Sequence, residues 1–174
     1  MTQQAQNKPV IAAFDFDGTL TRHDTLIPFL WHIAGPVKFL LKISLMAPTL
    51  LAYALGLIRN DIAKIKVLRC FLANMEMSRL NQYALQFAEK KLPALQRDVA
   101  MQRLQWHKKQ GHRCILVSAS LEIYLRPWAT KLGFSDILGS RLEQIDNNRT
   151  SGKLLGENCF GPEKMRRIES LRPS

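Results

Sequence analysis

The sequence predicts an α/β fold in which an open parallel sheet is interrupted by a long helical insert. Residues 9–17 and 112–118 are short, nearly continuous apolar runs, typical of strands that are covered on both faces. The first run ends in carboxylates and the second in a hydroxyl, whereas the long stretch between them has helix-like apolar spacing. Ligands bind outside the carboxyl ends of such strands, so a functional site is expected there.

The remaining elements follow from local patterns. Helices are predicted, in chain order, within the strongly apolar stretch 25–58, over 61–75 and 78–92, and from Pro93 to about Gln110, where Gly111 ends the last one. Downstream, a helix is predicted over 121–132, with Ser120 as its cap. Short strands are predicted over 136–155 around the turn Asp146-Asn147-Asn148. A last helix is predicted to begin at Gly161-Pro162 and to run through Ile168.

Composition places the chain among globular proteins. Of its 174 residues, 47% are hydrophobic and 22% are charged, which excludes a disordered tail or a collagen-like repeat. The three cysteines are too far apart for a zinc knuckle, a CxxC pair or a disulfide framework, so a reducing, cytoplasmic environment is expected. The first nine residues lack the apolar core of a secretory signal.

The net charge of +11 indicates an anionic partner without identifying it. The excess of basic residues lies mainly between positions 37 and 114. Nucleic acid, anionic lipid headgroups and phosphorylated substrates all suit such a surface. Aromatic residues make up only 8% of the chain and no nucleic-acid-binding module is recognisable, so nucleic acid is not expected as a partner.

The most specific motif is Phe14-Asp15-Phe16-Asp17-Gly18-Thr19, at the end of the first predicted strand. Acids at positions i and i+2 of a strand project to the same side and repel unless a cation or a shared proton compensates them. A hard divalent cation such as Mg²⁺ takes oxygen ligands of this kind. The alternative interpretation is a solvated turn after a strand.

Two further residues follow the acidic pair in an informative order. Ser118 ends the second predicted strand, and Lys164 stands in Gly161-Pro162-Glu163-Lys164 at the start of the last helix. Each alone is also typical of a structural hydroxyl or a surface lysine. The three signals together are more specific than any one of them.

These motifs resemble those of the haloacid dehalogenase-like (HAD) hydrolases, and the resemblance implies a magnesium-dependent phosphatase. It implies that Asp15 is the nucleophile that forms an aspartyl-phosphate and that Asp17 is the general acid and then the general base. Mg²⁺ would be held by Asp15 and by the main-chain carbonyl of Asp17. The residues implied to bind phosphate are Gly18, Thr19, Ser118, Ala119 and Lys164.

The resemblance spans about residues 9–168 and extends to subfamily IB. That group includes phosphoserine phosphatase-like enzymes and a bacterial phosphatidylglycerophosphatase. It implies a Rossmann-like core, residues 1–24 and 105–174, and an all-helical cap, residues 25–104, that sets the substrate. The implied substrate is a small phosphorylated metabolite or a lipid phosphate.

The sequence departs from the family in one respect. The family's fourth motif, usually of the form GDSxxD, supplies a further metal ligand after the lysine helix, and the chain has no such motif after Lys164. The C-terminal part of the core is therefore expected to be missing, through fragmentation or natural truncation. A nearly inactive chain is expected on this ground, and a catalytically incompetent phosphate-binding module is the alternative to an enzyme.

The apolar stretch Ile43–Ile58 contains 16 consecutive uncharged residues and includes Pro48. As a helix it would be about 24 Å long, short of the ~30 Å hydrocarbon core of a bilayer. A buried cap helix is therefore expected rather than a membrane span. A third interpretation, an interfacial segment with flanking lysines, leaves open a peripheral association with an anionic membrane at its inner face.

Overall fold

A computed structural model describes residues 10–171, which contain a sheet of three parallel strands. The strands are β1 (Ile11–Phe14), β2 (Arg113–Leu121) and β3 (Asp136–Ser140), in the spatial order β1-β2-β3. The register pairs Phe14 with Leu116, so the ends of β1 and β2 lie side by side. The predicted parallel α/β sheet is confirmed, although Pro9, the first residue of the predicted strand, lies outside the described residues.

Seven helices and a hairpin complete the described part of the chain. The helices are α1 (Leu26–Ala54), α2 (Asn60–Leu72), α3 (Met77–Lys90), α4 (Leu92–Leu95), α5 (Asp98–Lys109), α6 (Glu122–Lys131) and α7 (Pro162–Glu169). The hairpin consists of β4 (Leu142–Ile145) and β5 (Arg149–Leu154) around the predicted turn Asp146–Asn148. A single helical turn, Phe16–Leu20, follows β1.

The prediction of one helix from Pro93 to Gln110 is wrong, because the chain is extended at Gln96 and Arg97, between α4 and α5. The chain is extended there because its main chain pairs with residues 20–22, which lead from the sheet into the helical insert. Arg97 N donates to Leu20 O at 2.9 Å, and Arg22 N donates to Leu95 O at 2.9 Å. The two connections between the helical insert and the sheet therefore run side by side.

This pairing also bears on the boundary between core and cap. The boundary expected after residue 104 falls inside α5, which packs against β2 as one element. We propose that the cap ends at Arg97, where the two connections pair, and that α5 belongs to the core.

The helix α1 is bent and largely exposed, so the prediction of a buried helix for Ile43–Ile58 is wrong. Gly35 has φ 71° and ψ 168°, which interrupts the helical path before Pro36. By length and composition α1 could cross a membrane, with a mean hydropathy of 1.4 over its most apolar 18 residues, almost none of which is buried. Both ends of α1 nevertheless line the same cavity, which a straight spanning helix cannot do.

Aromatic side chains join the helical insert to the sheet side of the molecule. The ring of Phe29 on α1 lies 4.7 Å from Tyr124 on α6 and 5.2 Å from Phe87 on α3, measured between centroids. All three residues are fully buried. Burial of such side chains contributes on the order of 1.5–3 kcal/mol each, so this cluster fixes the insert over α6.

The β4–β5 hairpin packs against α2 and closes the other side of the insert. Gly152 makes the approach possible, because a Cβ atom there would lie 2.7 Å from Arg69 Cα. Its φ of +76° is also a conformation that other residues rarely adopt. The hairpin also contacts the connection between α2 and α3, where Asn74 N donates a hydrogen bond of 2.9 Å to Thr150 O.

Candidate active site

The side chains singled out in the sequence meet at the carboxyl ends of β1 and β2. Asp15 and Asp17 follow β1, Ser118 lies near the end of β2, and Lys164 lies in the first turn of α7. All four line one cavity of about 420 Å³, to which α1 and α2 of the insert also contribute. A larger cleft of about 720 Å³ adjoins it, but neither Asp15 nor Asp17 lines that cleft.

Asp15 is paired with a cation and with a main-chain N–H group. Its Oδ2 lies 2.7 Å from Lys164 Nζ, and its Oδ1 accepts a hydrogen bond of 2.7 Å from Phe16 N. The Asp15 side chain is 42% exposed, so an incoming group can reach it. A fixed negative charge that is accessible from the cavity suits a nucleophile.

Asp17 has a different environment although it is only two residues away. Its Oδ1 accepts hydrogen bonds from Thr25 N at 3.0 Å and Thr25 Oγ1 at 2.8 Å, and its Oδ2 accepts one from Ser120 Oγ. Burial raises the pKa of Asp17, against the opposing effect of these hydrogen bonds. A carboxyl group with a raised pKa can carry a proton, as a general acid must.

A buried tyrosine completes the hydrogen-bond network behind Asp17. Tyr124 Oη lies 3.1 Å from Thr25 Oγ1, whose own proton is directed to Asp17. Tyr124 is fully buried, and burial raises the pKa of its hydroxyl. The hydroxyl therefore stays protonated and donates to Thr25, which fixes the orientation of the Asp17 carboxyl group.

The end of β2 contributes main-chain and hydroxyl groups. Ser118 is buried, and its Oγ accepts a hydrogen bond of 3.0 Å from Ser120 N. Ala119 O accepts a hydrogen bond of 2.6 Å from Lys64 Nζ. The prediction that Ser120 caps the following helix is wrong, because Leu121 is the cap residue and the Ser120 hydroxyl donates to Asp17 instead.

Lys64 is a second lysine in the cavity, and the sequence reasoning missed it. It extends from α2 in the insert to Ala119 on β2 and to Asn158 Oδ1, at 2.8 Å, in the loop before α7. Burial lowers its pKa to about 8, against the opposing effect of Asp24 and Asp17. The sequence does contain a signal for Lys64. It lies four residues before the buried Leu68, which places both residues on the same side of α2.

The predicted residues Gly18 and Thr19, and also Asp24, lie close to this network. Gly18, with φ 71°, and Thr19, which is exposed, lie in the turn after Asp17 but do not line the cavity, so their predicted role in phosphate binding stays a prediction. Asp24 does line it, and its Oδ1 accepts a hydrogen bond of 2.8 Å from Leu26 N at the start of α1.

The position of Lys164 depends on ion pairs along α7. Glu163 accepts hydrogen bonds from Arg166 Nε and Arg167 Nε, both at 2.6 Å, and these bonds lower its pKa to about 2. Arg167 also donates to Gly139 O at 2.6 Å, which ties α7 to the end of β3. The helix that carries Lys164 is thereby anchored to the sheet.

The donor set of the cavity suits a hard cation. The Asp15 carboxylate and the main-chain carbonyl of Asp17 would supply oxygen ligands. The side-chain oxygens of both aspartates also have hydrogen-bond donors, Lys164 and Phe16 N at Asp15 and Thr25 and Ser120 at Asp17. Within residues 10–171 no group of three or more His, Cys, Asp or Glu side chains is placed to hold a metal. Two protein oxygens fit Mg²⁺, which usually keeps several of its waters.

Comparison with known proteins identifies the family. The family model of haloacid dehalogenase-like hydrolases matches residues 12–173, nearly the whole chain. The chain belongs to the haloacid dehalogenase-like hydrolases. Protein CicA of Caulobacter vibrioides (strain NA1000 / CB15N) is 33% identical over 171 residues, which cover 98% of this chain and 76% of that relative.

Solved structures of HAD-type proteins share the fold. A protein with unknown function from Bordetella pertussis Tohama I has a TM-score of 0.79 at 20% identity, covering 94% of this chain and 74% of that one. A phosphoserine phosphohydrolase-like protein from Francisella tularensis subsp. tularensis SCHU S4 has a TM-score of 0.67 at 19% identity, covering 96% and 75%. A substrate-bound phosphoserine phosphatase has a TM-score of 0.59 at 21% identity, covering 96% and 75%. The expected arrangement of a HAD-type α/β core with a helical cap is therefore confirmed.

Proposed function

We propose that this HAD hydrolase is a phosphomonoester phosphatase that acts through an aspartyl-phosphate on Asp15. One observation carries the proposal. Two carboxyl groups line the same cavity in opposite settings, Asp15 against Lys164 and Asp17 buried among hydroxyls with a raised pKa. Such a pair separates a nucleophile from a proton donor.

In the first step a carboxylate oxygen of Asp15 attacks the phosphorus of the substrate. The bond between phosphorus and the leaving oxygen breaks, and Asp17 gives its proton to that oxygen. The network of Thr25 and Ser120 orients Asp17 for this transfer. The products of the step are an alcohol and the phosphorylated Asp15.

In the second step a water molecule attacks the phosphorus of the aspartyl-phosphate. Asp17, now a carboxylate, takes the proton of the water, and the bond between phosphorus and Asp15 breaks. Lys164 and the Ser118 hydroxyl line the cavity beside Asp15 and are suited to hold phosphoryl oxygens. Asp15 and the main-chain carbonyl of Asp17 would hold Mg²⁺, which would neutralise part of the phosphoryl charge.

The cavity is compatible with both substrate classes expected from the sequence. Leu26, Leu50 and Tyr53 of α1 form an apolar wall, whereas Asp24 and Lys64 provide charges of opposite sign. A phosphorylated metabolite with polar groups would use the charged side and a lipid phosphate the apolar wall. Comparing hydrolysis of a phosphorylated amino acid with that of a short-chain lipid phosphate monoester distinguishes them.

The test of the proposal is hydrolysis of p-nitrophenyl phosphate in the presence of Mg²⁺, which also decides whether the chain is nearly inactive, as the missing fourth motif predicts. Asp15→Asn should lower kcat by orders of magnitude, because it removes the attacking charge while keeping the shape. Asp98→Asn is the matched control, since Asp98 is 84% exposed and outside the cavity, and it should keep wild-type activity. Comparable activity in Asp15→Asn overturns the mechanism. Phosphate binding without any turnover in the wild type supports the alternative of a phosphate-binding module.

A further inference from the structure

The cap exposes a continuous apolar surface on α1. This α1 apolar face consists of Val37, Leu41, Leu45, Leu51 and Leu55, each at least 61% exposed. Their spacing places them on one side of a helix with 3.6 residues per turn. The opposite side packs inward, with the Phe39 ring 5.4 Å from Phe71 on α2. Exposed apolar surfaces of this extent mark interaction sites.

The charges around the α1 apolar face favour an anionic partner. Residues 25–60 contain no Asp or Glu, and Lys38 is exposed next to Val37. The chain as a whole carries a net charge of +11. Pairing this face with the same face of a second copy would bring two basic surfaces together, whereas anionic headgroups would be attracted to it.

The face also lacks the directional groups that a specific protein partner would use. Ser44 lies on the same side of α1, but its hydroxyl donates to the Leu40 carbonyl of its own helix at 2.9 Å. The remaining surface is aliphatic over about 27 Å from Val37 to Leu55, at 1.5 Å per residue. Such a surface is suited to fluid hydrocarbon.

The fold limits α1 to one side of a bilayer. Lys42 Nζ donates to Cys70 O on α2 at 2.7 Å, so the inward side of α1 is committed to the cap. The bend at Gly35 and the convergence of both helix ends on the cavity exclude a straight crossing. We propose that the cap docks on an anionic lipid bilayer, with the α1 apolar face lying in the interfacial plane. This proposal does not depend on the phosphatase mechanism.

The test is co-sedimentation of the full chain with sucrose-loaded vesicles. Vesicles of phosphatidylcholine with phosphatidylglycerol should bind the protein more strongly than phosphatidylcholine alone, and added salt should weaken the difference. Leu41→Gln/Leu45→Gln should lower the partition coefficient at least about tenfold, because each leucine loses burial in the interface. Lys38→Gln should weaken binding to the anionic vesicles only.

The matched control is Leu85→Gln/Val99→Gln, which changes exposed apolar residues on α3 and α5 and should leave binding unchanged. Thermal melting checks that both double variants fold as the wild type does. Absence of vesicle binding by the wild type, or equal binding by the two double variants, overturns the proposal. A solution dimer that Leu41→Gln/Leu45→Gln dissociates would also overturn it, since a second copy would then cover the face.

Discussion

Asp15 and Asp17 have different neighbours although they lie only two residues apart. Asp15 contacts an ammonium group at 2.7 Å and remains accessible, whereas Asp17 is enclosed by Thr25, Ser120 and the Tyr124 network behind them. Asp15 is paired with a cation, whereas burial raises the pKa of Asp17 against the opposing effect of its hydrogen bonds. The division of roles in the proposed mechanism follows from these contacts.

The role of Asp17 as a proton donor predicts a dependence on the leaving group. Asp17→Asn should lower kcat/KM about 10²–10⁴-fold for an alkyl phosphate, whose alkoxide must be protonated. The decrease should be much smaller for p-nitrophenyl phosphate, whose leaving group departs without a proton. Steady-state kinetics on the two substrates check this. An equal decrease for both would contradict the role as acid.

The lowered pKa of Lys64 predicts an alkaline limit to activity, that is, a pH above which activity falls. Its pKa of about 8 lies below the ordinary value of 10.5, so it is charged in acidic and neutral solution and loses its charge as the pH rises through about 8. We expect kcat/KM to fall above that pH, because the cavity loses a cation that attracts phosphate. Lys64→Arg should shift the limit to higher pH, since a guanidinium stays protonated.

The pH profile of kcat/KM measures this limit. Lys66→Met, an exposed change on the same helix, serves as the control and should retain the limit. The same alkaline limit in Lys64→Arg as in the wild type would exclude Lys64 as its origin.

At the scale of single residues, the sequence allowed part of the site to be predicted. Asp15, Ser118 and Lys164 are recognisable because each stands close to one end of an element with a clear local pattern. Thr25 reaches Asp17, and Lys64 reaches the cavity, only through the packing of the insert over the sheet. No local pattern encodes that packing, so Thr25 could not be assigned beforehand, and the spacing of Lys64 indicates only that it lies on the inward side of α2.

Among the elements, the β4–β5 hairpin packs directly against α2 of the cap. Gly152 approaches the main chain of α2 with no room for a side chain. Gly156 has almost the same backbone conformation, φ +73°, but open space around it. The two positions therefore separate the steric contact from the cost of a positive φ.

Gly152→Ala should destabilise the protein by about 1–3 kcal/mol more than Gly156→Ala, because the added Cβ overlaps backbone atoms that cannot move freely. For a protein of this size the difference corresponds to roughly 2–12 °C in Tm. Thermal unfolding of both variants measures it. Equal Tm values would show that α2 can move away from the hairpin without cost.

The anchoring of α7 predicts a change of stability in acid. The pKa of Glu163 is lowered from 4.5 to about 2 in the folded state, so its ion pairs stabilise the fold above about pH 4.5. This contribution is lost as the pH falls through about 2. The free energy of unfolding, measured with urea between pH 2 and 5, should therefore depend less on pH in Glu163→Gln than in the wild type. Glu157→Gln is the control, and an unchanged dependence in Glu163→Gln would contradict the assignment.

The elements themselves were largely predictable, with two instructive exceptions. Strands β1 and β2 and the helices over 60–72 and 77–90 follow from apolar spacing, which is a local property. The break at Gln96 arises from pairing with a distant segment, and the exposure of α1 depends on how much surface the rest of the cap can cover. Neither property is encoded in spacing alone.

In the whole molecule, the cavity lies where the sheet and the helical insert meet. The aromatic cluster of Phe29, Phe87 and Tyr124 fixes the insert, and Lys64 crosses from it to the end of β2. The proposed chemistry uses groups from both parts, with the nucleophile on the sheet side and a cation from the insert. An acyl phosphate on Asp15 is the intermediate that the proposed mechanism requires.

Borohydride trapping during turnover tests that intermediate most directly. The reagent reduces an acyl phosphate to an alcohol, so the protein incubated with p-nitrophenyl phosphate and Mg²⁺ should carry homoserine at position 15, detected by peptide mass spectrometry. Without substrate, Asp15 should remain unmodified, and Asp24 and Asp98 should remain unmodified in both samples. Turnover without modification of Asp15, or with modification of a different aspartate, would contradict the mechanism.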